Sequence, residues 1–476
     1  MKNIVFLSLL TALSFSCDTD KKQLKPNIIL VMSDDQGWGQ TGYYGHPVLE
    51  TPHLNAMAEN GIRLDRFYAG APVCSPTRAT VLTGRANDRT AVYTHGYPLR
   101  LQEKTIGEAL KAEGYNTAHF GKWHLDGLRG PGVPIFDDDP RDPGAFGFDK
   151  WISVTNFFDV DPLMSDEGEI KEYKGSSSDI IVRQALEFIS ENREEPFFVL
   201  IWYGSPHKPW AALEADKKGF PGQMDEVYRN YMGEIIEIDN SIGLLRSELK
   251  KMKLGGNTII WFNSDNGGLR EGGKDGVGGL RAYKGSVYEG GLRVPCVIEW
   301  PEYIEGGQVS NYPASTMDIF PTLAAILNLP QEVMTKPVDG NSILHVFKGE
   351  PGMRENPIPF KFQNKGALID NNYKLVAVDI REKQYELYDL DQDPAESENI
   401  LSIQSEKGEE MIQYYESWLG SVENSVAGED YAEGLKAPDP KPKFWWNDPA
   451  YELYIEEWKD RPEYKFRLQR AGKIAE

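Results

Sequence analysis

Apolar residues recur along this chain in two alternating rhythms. Short apolar runs fall at residues 28–32, 116–120, 197–203, 258–263 and 295–300, and uninterrupted runs of that length read as strands buried on both faces. Between them lie segments of helical spacing. One follows Pro52 and stops near Gly61, a second is opened by the capping box Thr105-x-x-Glu108 and closed by Gly114, and a long one covers residues 226–253, each with start and stop signals that suit a helix. The alternation predicts an α/β fold, a large mixed and mostly parallel sheet sandwiched by helices. From about residue 351 the rhythm changes to short alternating strands such as 373–378 and 385–390, which predicts a smaller C-terminal α+β domain containing an antiparallel sheet. The expected division is therefore 25–350 for the main domain and 351–476 for the antiparallel subdomain and tail. The tail from Pro438 onward is expected to pack back on the main domain, and Gly272 to Gly279 to form a surface loop.

A chain of 476 residues exceeds what one hydrophobic core usually fills. Its 51 basic and 73 acidic residues leave a net charge of -22, which argues against nucleic acid or an anionic membrane surface as partner. An anionic substrate would have to meet a locally positive pocket. Lys2, an apolar run over 4–13 and then Ser16-Cys17-Asp18 read as an export signal over 1–17, too short to span a bilayer. Cys17 directly after the apolar run points to cleavage and a lipid anchor. The expected location is exported, in the periplasm or as an outer-membrane-anchored lipoprotein of a bacterium.

In open α/β sheets ligands gather beyond the carboxyl ends of the strands, and polar motifs follow several of the runs directly. Asp34-Asp35 follows the first; two adjacent carboxylates repel unless they cap a helix or share a cation. Asp265-Asn266, within Ser264-Asp265-Asn266-Gly267-Gly268, would by itself be a turn. Together these residues offer three carboxylates and an amide oxygen, a hard donor set suited to Ca²⁺ or Mg²⁺ and lacking the sulfur or imidazole that favours zinc. Lys122 and His124 lie two residues apart, which in an extended segment puts both on one side, whereas His119, inside the apolar run, reads as structural. His207, in Ser205-Pro206-His207-Lys208-Pro209-Trp210, could give up a proton near neutral pH; its blander role is a loop histidine stacked on Trp210. Lys284, in a glycine-rich stretch, would on composition alone be a solvated lysine, and Glu289 and Arg293 are expected to pair.

Cys74-Ser75-Pro76-Thr77-Arg78, followed by Thr83-Gly84-Arg85, resembles the signature of the type I, formylglycine-dependent sulfatases of the alkaline phosphatase superfamily. Taken alone the stretch would be a buried thiol before a helix begun by Pro76. The likeness runs from about Pro26 to Asn399. It takes in residues 114–124, Gly147-Phe148-Asp149, Lys284 with Glu289-Gly290-Gly291-Leu292-Arg293-Val294-Pro295, and Glu386-Leu387-Tyr388-Asp389-Leu390-x-x-Asp393-Pro394. One departure is Thr51-Pro52-His53-Leu54-Asn55, where the family more often has asparagine and aspartate.

The resemblance implies that a formylglycine-generating or sulfatase-maturing enzyme oxidises Cys74 to formylglycine, whose hydrate attacks sulfur. It implies a metal site of Asp34, Asp35, Asp265, Asn266 and residue 74, usually holding Ca²⁺. It assigns Arg78 to an oxyanion, Lys122 and Lys284 to sulfate oxygens, His207 to a general acid and His124 to a base. Cys296 is then the one ordinary thiol left, which excludes a disulfide framework. Export suits a sulfated polysaccharide or oligosaccharide of marine algal type, with Tyr43, His46, His95, Arg100, Trp202 and Trp210 as candidate sugar contacts. The alternatives are a phosphonate or phosphate ester hydrolase of the same superfamily and a non-catalytic lipoprotein that binds sulfated glycan. The intact Cys74, Arg78, Lys122, His124, His207 and Lys284 argue against the second, and no feature supports a transporter or signalling module.

Overall fold

The computed structural model describes residues 25–350 and 352–475; the expected export segment, with Cys17, lies outside the described residues. Among the described residues no helix is long and apolar enough to cross a membrane. Asn27–Ser33 runs through the middle of a ten-stranded sheet, in parallel register with Thr258–Ser264 on one side and Phe197–Trp202 on the other. Asn116–Lys122 and Lys150–Val154 extend the parallel order. Beyond Lys150–Val154 the hairpin of Leu163–Asp166 and Glu169–Glu172 is antiparallel. At the other end Cys296–Glu299 is antiparallel to both of its neighbours, and Gln308–Ser310 closes the sheet parallel to Ile62–Leu64. The mixed, mostly parallel sheet expected from the rhythm of the chain is present.

Successive side chains of a strand point to opposite faces, so an unbroken apolar run needs two covers. Ile28, Leu30 and Met32 face a core with Leu82, Ile106, Phe320 and Leu323. Ile29 and Val31 face another with Ile181 and Phe188 of the helix Ser177–Glu191 and Ile238 and Leu245 of the helix Glu226–Lys251. Truncating one such side chain to alanine costs about 2–5 kcal/mol.

A four-stranded antiparallel sheet of Ile358–Phe362, Lys365–Asp370, Tyr373–Asp379 and Gln384–Asp389 packs Leu375, Val376 and Leu387 with Met411, Tyr415 and Trp418 of the helix Ser405–Val426. It is tied to the short helix Glu289–Leu292 of the main domain by a buried ion triad, in which Lys374 Nζ lies 2.9 Å from Glu289 and 3.0 Å from Glu396. Arg293 is the more distant partner of Glu289, at 3.6 Å. In the tail, Lys443–Phe444 pairs with Leu128–Arg129, and Trp445, Trp458 and Leu468 share a cluster with Leu128, Val133 and Leu163. The glycine-rich stretch departs from an open loop: it holds the turn Arg270–Gly272 and the short helix Gly273–Gly276, and Gly39 N donates to Gly276 O at 3.2 Å.

Candidate active site

Four neighbouring parallel strands end at one rim, and each delivers part of the site. Asp34 and Asp35 follow Asn27–Ser33, Asp265 and Asn266 follow Thr258–Ser264, Lys122 ends Asn116–Lys122, and the His207 loop follows Phe197–Trp202. Asp34 and Asp35 cap no helix. Asp35 instead adopts a left-handed backbone, φ 67°, and its N–H donates to Asp265 Oδ1 at 3.1 Å. Such a conformation costs about 1–3 kcal/mol and persists where its surroundings enforce it.

Cys74 is the first residue of the helix Cys74–Thr83, not a residue ahead of it, and Pro76 lies within the first turn. The N-cap Val73 offers no side-chain acceptor and the first turn carries no acid, so the positive end of the helix faces the carboxylates. The fully buried Cys74 thiol lies 3.3 Å from Asp34 Oδ1 and 3.9 Å from Asp35 Oδ1, and Lys284 Nζ donates to its Sγ at 3.3 Å. Burial, reinforced by Asp265 and Asp34, pushes this thiol far above its ordinary range. As a plain thiol it is a poor nucleophile.

Cations are threaded among the carboxylates. Lys122 Nζ donates to Asp34 Oδ2 at 2.5 Å, Arg78 Nη2 to Asp265 Oδ2 at 2.9 Å, and Lys284 Nζ to Asp35 Oδ1. Arg78 also donates to the Lys122 carbonyl at 3.0 Å and lies over the Trp202 ring. Burial opposes the charge on Asp35, yet the Lys284 ammonium beside it outweighs burial and holds the carboxyl below the usual range. Asp265 is pushed up to about 7 by burial and Asp34, against Arg78 and Lys122. Lys284 is raised well above the usual lysine range, because Asp35 and Cys74 outweigh its burial.

Lys284 owes its place to glycines. A side chain on Gly267 would fall 2.0 Å from Gly290 O, so the Asp265-Asn266 turn and the Glu289-Gly290-Gly291 turn can meet backbone to backbone only because Gly267 has no Cβ. Gly267 N donates to Gly291 O, and Lys284 N to Gly268 O, both at 3.0 Å.

The donor set fits a hard divalent cation. Asp34, Asp35, Cys74 and Asp265 each present an atom within 4.8 Å of the others. Among the described residues Asp35 Oδ2 and Asn266 Oδ1 are buried without a hydrogen-bond partner, and an unmet buried acceptor costs about 1–3 kcal/mol. Oxygen ligation by one ion would satisfy both.

His207 Nδ1 lies 2.7 Å from the Lys208 carbonyl, which can only accept, so Nδ1 carries the hydrogen and Nε2 faces Asp35 Oδ2 at 3.7 Å. Burial first, then Lys284 and Lys122, bring its pKa down to about 3 despite Asp35; the resting imidazole is neutral. It stacks on Phe157, not on Trp210, whose ring lies on Tyr231. His124 has φ 60°, so the extended spacing predicted for Lys122 and His124 breaks there. Its ring stacks 6.4 Å from that of His95, Nδ1 is buried without a partner, and burial followed by Lys122 and His95 depresses its pKa well below the ordinary value. His119 lies in the core, 2.7 Å from Ser153 Oγ and edge-on to Trp123 and Trp202.

Several expected sugar contacts lie elsewhere. Trp202 is fully buried beneath Arg78. Arg100 is buried in an ion pair with Asp439, 2.7 Å away, because the tail returns to it. Tyr43 lies under Arg63, His46 Nδ1 accepts from Leu49 N, and Trp210 Nε1 donates to Pro206 O. Of the six, Trp202 meets the site residues from the core side, under Arg78, and His95 meets them through His124. The open mouth is instead a cavity of about 700 Å³ lined by Asp35, His207, Lys208, Arg270, Tyr283 and Lys284. Phe157, Arg270 and Tyr283 carry no signal in the sequence beyond their nearness to the motifs.

The fold and crevice define an α/β protein with a buried cluster of carboxylates at the rim of a parallel sheet, beside a cysteine and three basic side chains. The chain belongs to the sulfatase family, whose model matches residues 26–329; that of the N-sulphoglucosamine sulphohydrolase C-terminal region matches 282–422. It is 33% identical over 355 residues to the N-acetylgalactosamine-6-sulfatase of Sus scrofa, a match that covers 67% of this chain and 65% of the pig protein. It is 29% identical over 328 residues to the ulvan-active sulfatase of Formosa agariphila, covering 64% of this chain and 62% of that protein. Among solved structures, Ps i-CgsB in complex with k-i-k-neocarrahexaose shares the fold, with a TM-score of 0.75 at 23% identity over 93% of this chain and 99% of that one.

Proposed function

We propose that this protein hydrolyses sulfate esters of a sulfated carbohydrate, with Cys74 converted to formylglycine and a divalent cation held by Asp34, Asp35, Asp265, Asn266 and residue 74. The observation that carries the reading is the position of Cys74 at the start of a helix, 3.3 Å from both the Asp34 carboxylate and the Lys284 ammonium. The formylglycine hydrate would supply the attacking hydroxyl, and the cation, Ca²⁺ by family habit or Mg²⁺, would acidify it and polarise the ester.

The chain's own side chains account for the rest. Lys122 and Lys284 bring two ammonium groups to the carboxylates that flank residue 74, where they can meet charge that grows on sulfate oxygens. Arg78 holds Asp265 and the Lys122 backbone in register, which makes it a brace for the oxygen donors as much as an oxyanion partner. A bound sulfate ester adds negative charge beside His207 and favours the protonated imidazole, so Nε2 can pass a proton to the leaving sugar oxygen. His124, neutral and with Nδ1 unpartnered, can accept one.

The substrate class is supported by the names of the relatives, which include an ulvan-active sulfatase, and by the export segment read at the N-terminus. Conversion of Cys74 requires a maturing enzyme as partner. Two measurements test the proposal together: sulfate release from defined sulfated oligosaccharides, with phosphate and phosphonate esters alongside, and the mass of the Cys74 peptide. An unmodified thiol together with no release from any sulfate ester would sink it, and faster turnover of the phosphorus esters would reassign it.

A further inference from the structure

The floor of the active-site mouth is Asp35 and Lys284, and its walls are His207, Lys208, Arg270 and Tyr283 around about 700 Å³. That is more room than one sulfate group needs, and it lies in the range of about 300–1,000 Å³ typical of small-ligand sites. The charges in it are almost all matched. Lys284 pairs with Asp35, and Lys208 Nζ lies 2.7 Å from Glu271. Arg270 differs. Among the described residues its guanidinium has no carboxylate and no hydrogen-bond acceptor, although Glu271 is its neighbour in sequence; its contact is the ring of Tyr283, 5.7 Å away. Tyr283 immediately precedes Lys284. In a chain of net charge -22, an unmatched guanidinium therefore opens onto the cavity that holds the proposed sulfate ester.

We propose that Arg270 is a specificity-determining residue that binds a second anionic group of the substrate, a carboxylate or a further sulfate, while the first sulfate lies against Lys284 and residue 74. The inference rests on the sulfatase reading and narrows it to a sugar bearing at least two negative groups. A planar guanidinium presents two parallel N–H donors, a fork that suits carboxylate or sulfate oxygens better than an ammonium does. The Tyr283 ring restrains that fork from the side. The short turn Arg270–Gly272 keeps the side chain at the rim, so it meets the sugar beyond the ester and not the reacting atoms.

The test uses the full chain co-expressed with a maturing enzyme, as wild type, Arg270→Ala and Arg270→Lys. Each is assayed for sulfate release from an aryl sulfate, a monosulfated neutral oligosaccharide, the same sugar with a uronate, and the same sugar with a second sulfate. Arg270→Ala is expected to raise KM for a doubly anionic sugar about tenfold or more beyond any rise for the monoanionic esters, with little change in kcat. Arg270→Lys should recover part of the loss. Whichever doubly anionic sugar shows the effect identifies carboxylate or sulfate as the group bound. Equal KM changes on all four substrates, a loss confined to kcat, or a wild type that cleaves monoanionic esters but neither doubly anionic sugar overturns the role of Arg270 and leaves the sulfatase reading standing. A wild type that releases sulfate from none of the four overturns that reading, and this inference with it.

Discussion

The ring of Phe157 lies flat on the imidazole of His207, centroids 4.4 Å apart and planes 11° from parallel. Arg467, in the C-terminal helix Pro462–Arg470, sits over the same Phe157 ring at 5.3 Å. The tail thus reaches the proposed general acid through a single aromatic side chain. Gly204, three residues before His207, lets that loop lie against the neighbouring Phe158, because a Cβ there would strike the Phe158 backbone and ring at 2.7–2.8 Å. Phe157→Leu keeps apolar bulk but loses the flat face. It should lower kcat for sugar sulfates by about 10-fold to 100-fold, the range expected when a reacting group shifts by an ångström, and lower it less for activated aryl sulfates, which need little acid assistance. Identical losses on both ester types would remove the stack from that role.

Cys74→Ala deletes the one side chain that could become an aldehyde and leaves the buried carboxylates in place. Sulfate release should fall by at least about 10³-fold, since the proposed chemistry has no other nucleophile, while far-UV circular dichroism and the cooperative unfolding transition stay native. A variant that still turns over sulfate esters at the wild-type rate would contradict the role given to residue 74.

Chelation should act on stability as well as rate. Three carboxylates share one buried site with two unpartnered oxygens, so an ion that binds only the folded chain stabilises it by about 2.7 kcal/mol at a hundred times its Kd. The Tm should drop in EDTA and recover with Ca²⁺, and Asp35→Asn should shrink that shift. A Tm indifferent to both Ca²⁺ and Mg²⁺ would count against a cation at these residues.

What could be read from the chain, and what could not, follows from range. Asp34, Lys122, His207 and Asp265 each stand at or just beyond the end of an apolar run, so the rule that loops at strand ends meet in a crevice was enough to bring them together. An aromatic residue near a site suggests a sugar contact, but Trp202 lies in an unbroken apolar run and belongs to the core under Arg78. Arg100 could not have been placed, because its partner Asp439 lies 339 residues away. The left-handed φ of His124 follows a tryptophan and has no glycine to announce it. Phe157 and Arg270 sit in stretches without periodicity, where only three-dimensional proximity gives them meaning.

The His207 loop is held from behind by the helix Glu226–Lys251. Glu234 Oε1 accepts from Ala211 N at 2.7 Å, and Glu237 accepts from Leu213 N at 3.0 Å and from Ser176 Oγ at 2.7 Å. Burial pushes the carboxyl of Glu237 up from an ordinary 4.5 to about 7. Because the folded pKa lies above the unfolded one, the folded state holds this proton more tightly. Below pH 4.5 both states are protonated and the native form keeps its full advantage. As pH rises from 4.5 to 7 that advantage is lost, by up to about 3 kcal/mol for a shift of this size, and it stays lost above. Glu237→Gln retains an acceptor for Leu213 N and cannot ionise. Urea unfolding at pH 5 and pH 8 should therefore show a smaller fall in stability for Glu237→Gln than for wild type, with the variant gaining most at pH 8. Parallel pH dependences for the two proteins would mean that Glu237 ionises in the folded chain as readily as in the unfolded one, and that its buried hydrogen bonds, not its proton, hold the loop.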